Sequence, residues 1–362
     1  VPPGYYLSAA YKAQINQYFQ DVAFDSFKVS NVYAAGTQYY QCTLSGGVCA
    51  GAKTFERYNV VYGGTATVTT AFPTSGNCPN YTLGSGATSR ACLFDSQLRT
   101  QIKSTVGSLH WTRGLGTEVF LFTPPGVASC FTGGTVGGGD CFDPSGANGF
   151  CAYHSFDNAA TTATTDDYVY ANQPFADING CVMSAIGYNA YPNDDGADPT
   201  ISVVSHEQNE TMTDPELNAW YDSHGFENGD ECAWTSLGTV SNNGVGDYDQ
   251  VIHGDQYLMQ TEWSDRAHDC VKSNTLAQGI TANFTVSPSS PVHGSSATFT
   301  STTGGTYNGT KAYSWNFGDG GTSALANPTH TYATAGTKTV TLIVTDMADG
   351  DAARVIHSVV VT

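Results

Sequence analysis

Ten cysteines, at positions 42, 49, 78, 92, 130, 141, 151, 181, 232 and 270, all fall in the first three quarters of this 362-residue chain. The count is even, and no two of them stand in the Cys-x-x-Cys spacing used for zinc or redox chemistry. Both facts point to disulfides formed in an oxidising compartment. The near neighbours 42/49 and 78/92 are expected pairs, and the remaining connectivity stays open. Cross-links at that density brace a loop-rich fold and set it apart from a tail that carries none.

Charge narrows the function. Lys and Arg total 13 against 32 Asp and Glu, a net charge of −19. With no basic stripe to neutralise phosphates, nucleic acid is excluded as a partner. Scarcity of basic residues suits a secreted, extracellular protein, including one that works in acid. There is no run of about 18 apolar residues, so no membrane span is expected. The opening Val1-Pro2-Pro3-Gly4 lacks both a charged start and an apolar signal core. It reads as a mature terminus from which a signal, and any propeptide, has been removed.

The text changes near Lys272–Gly279, a polar connector. Beyond it come short alternating strands, among them Val292–Thr300 and Lys338–Thr345, the latter turning Val340, Leu342 and Val344 inward. Between these lie Trp315-Asn316-Phe317-Gly318-Asp319-Gly320 and Pro328-Thr329-His330-Thr331-Tyr332. This pattern resembles the PKD domain, and the resemblance implies an immunoglobulin-like β-sandwich used as an accessory module on extracellular proteins. Trp315 is then a core plug and Asp319 a turn former. The division is residues 1–271, a linker at 272–280, and a PKD-like all-β domain at 281–362.

The first region reads as α+β. Helical spacing runs through Tyr11–Phe24 (Ile15, Tyr18, Phe19, Val22) and Ser96–His110 (Leu98, Ile102, Val106, Leu109), the second capped by Ser96. Tyr58–Tyr62 and Thr65–Phe72 read as strands around Gly63-Gly64, and Glu118–Phe122 as a buried strand. Gly133–Gly139 reads as a loop without the Lys of a phosphate-binding site.

The chemistry concentrates in Val203-Val204-Ser205-His206-Glu207-Gln208-Asn209-Glu210-Thr211-Met212-Thr213-Asp214-Pro215. Asp198 is the expected N-cap, Pro199 the first helical residue, and Pro215 the stop. His206 and Glu210, four apart, share a helix face and can converge on one cation, with Glu207 beside them. This is the layout of His-Glu-x-x-His zinc proteases with a glutamate as the second ligand. Zinc accepts His nitrogen and carboxylate oxygen at nearly equal distances, and a glutamate resists protonation to lower pH than a histidine.

Glu227, 17 residues past Glu210, with Asp230 on the same short segment, resembles the gluzincin arrangement. That resemblance implies Glu227 as third ligand and Asp230 as the group orienting His206 through its other ring nitrogen. Asp214 is the alternative third ligand. His253 and Tyr221 are candidate oxyanion donors, as is Tyr257. His154 and His110 read as structural. Asn193–Asp198 is acidic enough to suggest additional calcium, but lacks EF-hand spacing and reads as a solvated turn.

Ser205-His206-Glu207, Glu210, Thr213-Asp214-Pro215, Trp220-Tyr221, Glu227, Asp230 and Cys232-Ala233-Trp234 together resemble the EXORDIUM-like, or phosphate-induced, protein family. Phe150–His154 and Ile252–Ser264 extend the match. The resemblance implies secretion and leaves the chemistry open. The expectation is a zincin-like α+β domain binding Zn2+ and cleaving protein or peptide substrates, with surface or polymer contact through the PKD domain. Two rivals stand beside it: an extracellular binding protein with structural calcium or no metal, and a glycoside hydrolase, for which Glu207 and Glu210 sit too close on one helix to flank a sugar ring.

Overall fold

The computed structural model describes residues 6–46, 48–72, 91–131, 141–143, 149–157, 168–178, 180–183, 188, 190–235, 240–274, 280–307, 309–348 and 350–362. The chain divides into two compact units. One comprises Val1–Asp25, Val60–Trp263 and Asp269–Lys272; the other comprises Ser26–Asn59, Ser264–His268 and Ser273–Thr362. The second unit thus takes in an early segment that composition alone does not separate from its surroundings.

The first unit is α+β. Helix α1, Ala9–Phe24, starts where the Ser8 hydroxyl accepts the Tyr11 N–H at 2.9 Å, and it buries Tyr11, Ile15, Tyr18 and Val22. Helix α2, Asp95–Leu109, begins one residue before the expected Ser96 cap. There the Gln97 side chain, one turn in, accepts the Phe94 N–H at 2.9 Å. Leu98, Ile102 and Val106 form its buried stripe, and it ends at His110 in the left-handed region. Helix α3, Ala197–Thr213, is buried on almost every side.

Its start corrects the capping expectation. Asp194 Oδ1 accepts the Gly196 and Ala197 N–H groups at 3.0 and 2.7 Å, while Asp198 sits inside the first turn and accepts from the Asn193 and Asp194 backbone. The acidic turn is therefore organised around backbone donors, with these carboxylate oxygens already engaged.

Two three-stranded sheets support the helices. In the first, Gly114–Phe122 runs parallel to Tyr168–Gln173, which pairs antiparallel with Tyr153–Asp157. The middle strand is buried at all six residues, as a strand covered on both faces must be. Alternation divides its neighbourhood. Tyr153, Tyr168 and Tyr170 pack with Ile102 and Val106 of α2, whereas His154, paired with Ala171, points to the opposite face. Helix α3 packs against these same two strands and against α1. In the second sheet Ala91–Phe94 runs parallel to Val127–Cys130, which pairs antiparallel with Cys141–Phe142.

Among the described residues the disulfides are Cys42–Cys49, Cys130–Cys141, Cys151–Cys181 and Cys232–Cys270. The first is the expected neighbour pair; Cys78, and with it the 78/92 expectation, lies outside the described residues, as does the Gly133–Gly139 loop. Tyr58–Tyr62 and Thr65–Phe72 are not strands. Their alternation supplies propensity, but a strand needs a ladder, and no ladder forms there among the described residues. The strand expected at Glu118–Phe122 exists, starts earlier at Gly114, and is half-buried.

In the second unit, Tyr40–Ser45 and Val48–Phe55 form a hairpin. The C-terminal part is all-β and Ig-like. One sheet joins Phe284–Ser287, Ser296–Ser301 and Thr329–Thr331; the other joins Thr322–Ser323, Lys311–Asn316, Gly336–Asp346 and Ala352–Val361. Val340, Leu342 and Val344 point inward, as alternation requires, onto Phe284, Phe299, Trp315, Phe317 and Tyr332. Trp315 is 1% exposed, and its indole N–H donates to the Leu325 carbonyl at 2.8 Å. Asp319 closes its turn by accepting the Gly321 N–H at 3.0 Å and meets His330 at 2.8 Å. Trp315→Ala removes both the plug and the donor, so it should destabilise this unit by roughly 3–5 kcal/mol, read as an earlier denaturant midpoint. Trp315→Phe, which loses the hydrogen bond and only part of the plug, should cost about 1–3 kcal/mol.

Candidate metal centre

Three elements of the first unit converge. Helix α3 supplies His206, Glu207 and Glu210, the strand Tyr153–Asp157 supplies His154, and the segment leading into the 3-10 turn Asp230–Cys232 supplies Glu227 and Asp230. The four-residue spacing places His206 Nε2 3.1 Å from Glu210 Oε1. The other oxygen of Glu210 lies 3.7 Å from His154 Nε2. His154 Nε2 is in turn 3.0 Å from Glu227 Oε2, and His206 Nε2 is 3.7 Å from Asp230 Oδ1. Ligand atoms of His154, Glu207 and Glu210 lie within 4.8 Å of one another, and so do those of His206, Glu210 and Asp230. These are two His/carboxylate clusters able to chelate a metal, buried except at Asp230, and they share Glu210.

The loop reaches the helix because its small and polar residues allow it. Gly229 passes so close that a Cβ there would stand 2.8 Å from His206 Nδ1 and 2.9 Å from Glu210 Oε1. The Asp230 N–H donates to Glu210 Oε1 at 3.0 Å. Asn228 links three segments: its Oδ1 accepts the Thr213 hydroxyl at 3.0 Å, its Nδ2 donates to Glu262 Oε2 at 3.1 Å, and its carbonyl accepts the Trp263 N–H at 2.8 Å. The Cys232–Cys270 bridge fixes the far end of the turn, and Cys151–Cys181 lies three residues before His154.

Burial of so many ionisable groups shifts their protonation. Burial pushes Glu207 up to about 8, and the neighbouring Glu210 charge adds to it. Burial by itself lowers His154, but the Glu227 hydrogen bond and the Glu227, Glu207 and Glu210 charges override it and lift the imidazole to about 9. Burial likewise disfavours charged His206, yet Glu210 and Asp230 hold it well above its ordinary value. Asp230 is held down despite burial by its contact with His206. Glu118, which accepts the Thr211 hydroxyl at 2.9 Å, is pushed up to about 8 by burial.

The donor set, imidazole nitrogen beside carboxylate oxygen, is one that can chelate a metal ion. Two imidazole nitrogens and several carboxylate oxygens face one another at 3.0–3.7 Å. Donors bonded at about 2.1 Å to a common ion stand ~3.0 Å apart at a right angle and ~3.4 Å apart at the tetrahedral angle. Glu227 Oε1 is buried with no partner among the described residues, as are the Nδ1 atoms of both histidines.

His206, Glu207 and Glu210 share the cluster with Glu227 and Asp230, but the last two stand otherwise than expected. Glu227 adjoins His154, and Asp230 faces the Nε2 of His206 rather than its other nitrogen. Asp214 is buried and caps the following turn, its Oδ1 accepting the Asn218 and Ala219 N–H groups at 2.6 and 2.8 Å. Tyr221 is exposed. His253 takes a left-handed φ of 54°, holds its ring tilted against Phe24 with centroids 3.6 Å apart, and donates its backbone N–H to Asp25. Tyr257 is a core residue donating to Asp21 at 2.7 Å. None of these three has a described contact with the cluster. His154, read as structural, stands inside it. Sequence did place His154 in the Phe150–His154 segment of the family resemblance, but the strand that turns it opposite to Tyr153 is set by pairing that no local pattern marks.

The C-terminal segment belongs to the PKD domain family, whose model matches residues 281–361. A structure of carbohydrate-binding modules from the β-sandwich superfamily is 36% identical over 24% of this chain, with a TM-score of 0.22, and the chain spans 35% of it. The PKD1 domain of the Vibrio cholerae metalloprotease PrtV is 33% identical over 23% of this chain and 96% of that domain, with a TM-score of 0.20. The PKD1 domain of Vibrio anguillarum Epp is 27% identical over 22% of this chain and 89% of that domain, with a TM-score of 0.19. No curated protein matches the chain.

Gly229→Ala should displace His206 and Glu210 and weaken binding of a divalent cation at least ~10-fold, measured by competition with a chromophoric chelator. The φ of −73° at Gly229 suits alanine, so the effect is steric. Gly116→Ala, where a Cβ meets nothing within 4 Å, should leave binding unchanged.

Proposed function

We propose that this protein is a secreted, zinc-dependent endopeptidase, built on an EXORDIUM-like, zincin-like domain with a PKD appendage. The observation that carries the reading is the convergence of His154 Nε2 and His206 Nε2, from a strand and a helix, on the two oxygens of Glu210. Structural clusters of this burial rarely gather so many carboxylates without a counter-cation.

In this reading His206, Glu210 and His154 hold the metal, with Glu227 and Asp230 beside them. A bound zinc ion supplies a Lewis acid that acidifies water and polarises the scissile carbonyl. Glu207, 4% exposed and within 4.8 Å of its neighbours' ligand atoms, takes the proton from attacking water and returns it to the leaving amine. Asp230, with 41% of its side chain exposed, marks the edge from which a peptide reaches the cluster. Asn228 and Gly229 keep the loop against α3 so that these groups stay aligned. The disulfides and the scarcity of Lys and Arg support an extracellular setting, and the PKD domain would provide surface or polymer contact. No helix among the described residues is long and apolar enough to cross a membrane.

The purified chain should carry zinc by elemental analysis and lose casein cleavage on chelation, with recovery on zinc addition. Glu207→Gln should keep its zinc and lower turnover by about 10²–10⁴-fold. A chain that holds no transition metal would instead indicate a disulfide-braced binding protein.

A further inference from the structure

Glu210 differs from an ordinary terminal ligand because its two oxygens address different imidazoles. Oε1 lies 3.1 Å from His206 Nε2 and Oε2 lies 3.7 Å from His154 Nε2. Each histidine also has its own second carboxylate: Glu227 Oε2 at 3.0 Å from His154, and Asp230 Oδ1 at 3.7 Å from His206. The arrangement is two half-sites of the same composition, one imidazole and one terminal carboxylate, placed on either side of a shared glutamate. The ligand atoms that close within 4.8 Å fall into two groups that share Glu210, one with His154 and Glu207 and the other with His206 and Asp230, while Glu227 lies outside both and joins the first through its contact with His154 alone.

We propose that the centre is dinuclear: one divalent cation held by His154 and Glu227, a second by His206 and Asp230, and Glu210 bridging the two. This rests on the metal reading of the same cluster and extends it. Glu207, Glu210, Glu227 and Asp230, with Glu262 hydrogen-bonded to Asn228 nearby, bring carboxylates to a largely buried place. Two like charges about 5 Å apart at an effective dielectric near 20 repel by ~3 kcal/mol, so cations among them are favoured. Glu227 Oε1, buried and without a partner among the described residues, offers its half-site a further donor. Both histidines present Nε2 to the carboxylates. A pair of cations sharing a carboxylate can clamp the attacking and departing oxygens of a hydrolysis from opposite sides. Glu207, grouped with His154 and Glu210, stands next to the first half-site as the proton carrier.

The full chain, stripped with chelator, is titrated with zinc chloride by calorimetry and then counted for zinc after gel filtration. Two zinc ions per chain are expected, falling to one in His154→Ala and to one in His206→Ala. Loading with manganese gives a second readout that needs no variant. The electron paramagnetic resonance of the wild-type protein should show a spin-coupled pair, and each histidine variant should show an isolated six-line signal. His154→Gln and Asp230→Asn, checked for folding by near-ultraviolet circular dichroism, serve if an alanine variant does not fold. One zinc per chain, abolished by either histidine substitution, would overturn the dinuclear assignment and leave the peptidase reading standing. Two zinc ions with uncoupled manganese would overturn the Glu210 bridge. No zinc at all would remove both.

Discussion

The cost of bringing carboxylates together away from water constrains the first unit more than any other single interaction. Glu207 and Glu210 sit on one helix at 4% and 3% exposure, with Glu227 and Asp230 beside them. At an effective dielectric near 20, each close like-charge pair costs ~3–4 kcal/mol. Such a group survives in a folded chain only if positive partners are set among its members, and His154 and His206 are those partners. Both imidazoles are driven toward the charged form by the acids around them, and Glu207 is driven toward the neutral form. A cation is proposed to meet the same electrostatic demand.

Much of the surrounding architecture can be read as support for that arrangement. Helix α3 lies against the strands Tyr168–Gln173 and Tyr153–Asp157, which brings His154 to the helix from the sheet side. The 227–230 loop approaches from the other direction, pressed inward by a residue with no side chain and tied by Asn228 to Thr213 and Glu262. The disulfides Cys151–Cys181 and Cys232–Cys270 sit close in sequence to the two segments that have no helix of their own to hold them. A loop that carries ligating groups has low intrinsic order, and cross-links lower the entropy cost of holding it in place. The C-terminal all-β part is built on a separate principle, an aromatic and aliphatic core around Trp315.

Legibility from sequence followed the range of the interactions. His206, Glu207 and Glu210 could be grouped because helical geometry fixes neighbours at i and i+4. The PKD domain was legible because its turn and aromatic positions form a local signature, borne out by residues 281–361. The strands expected at 58–62 and 65–72 failed for the opposite reason: alternation is local, whereas a ladder depends on a distant edge that no local pattern supplies. The helix caps missed by a residue or two, since Asp194 and Gln97, rather than the nearest Asp or Ser, had the reach to meet the open N–H groups.

The chain's own residue order determined that a His-Glu-x-x-Glu face would exist on a helix, that cysteines would brace the first region, and that a β-sandwich would follow. Those are consequences of periodicity, of thiol chemistry and of short motifs, all expressed within a few residues. Tertiary structure decided which groups meet that face. It turned His154 inward by the register of one strand against the next, set Glu227 beside His154, and placed Asp230 against the Nε2 of His206. It also fitted Gly229 where a methyl group would not go. These are contacts between segments separated by tens of residues. Strand pairing, packing and the closeness of backbones select them, and no local pattern encodes them.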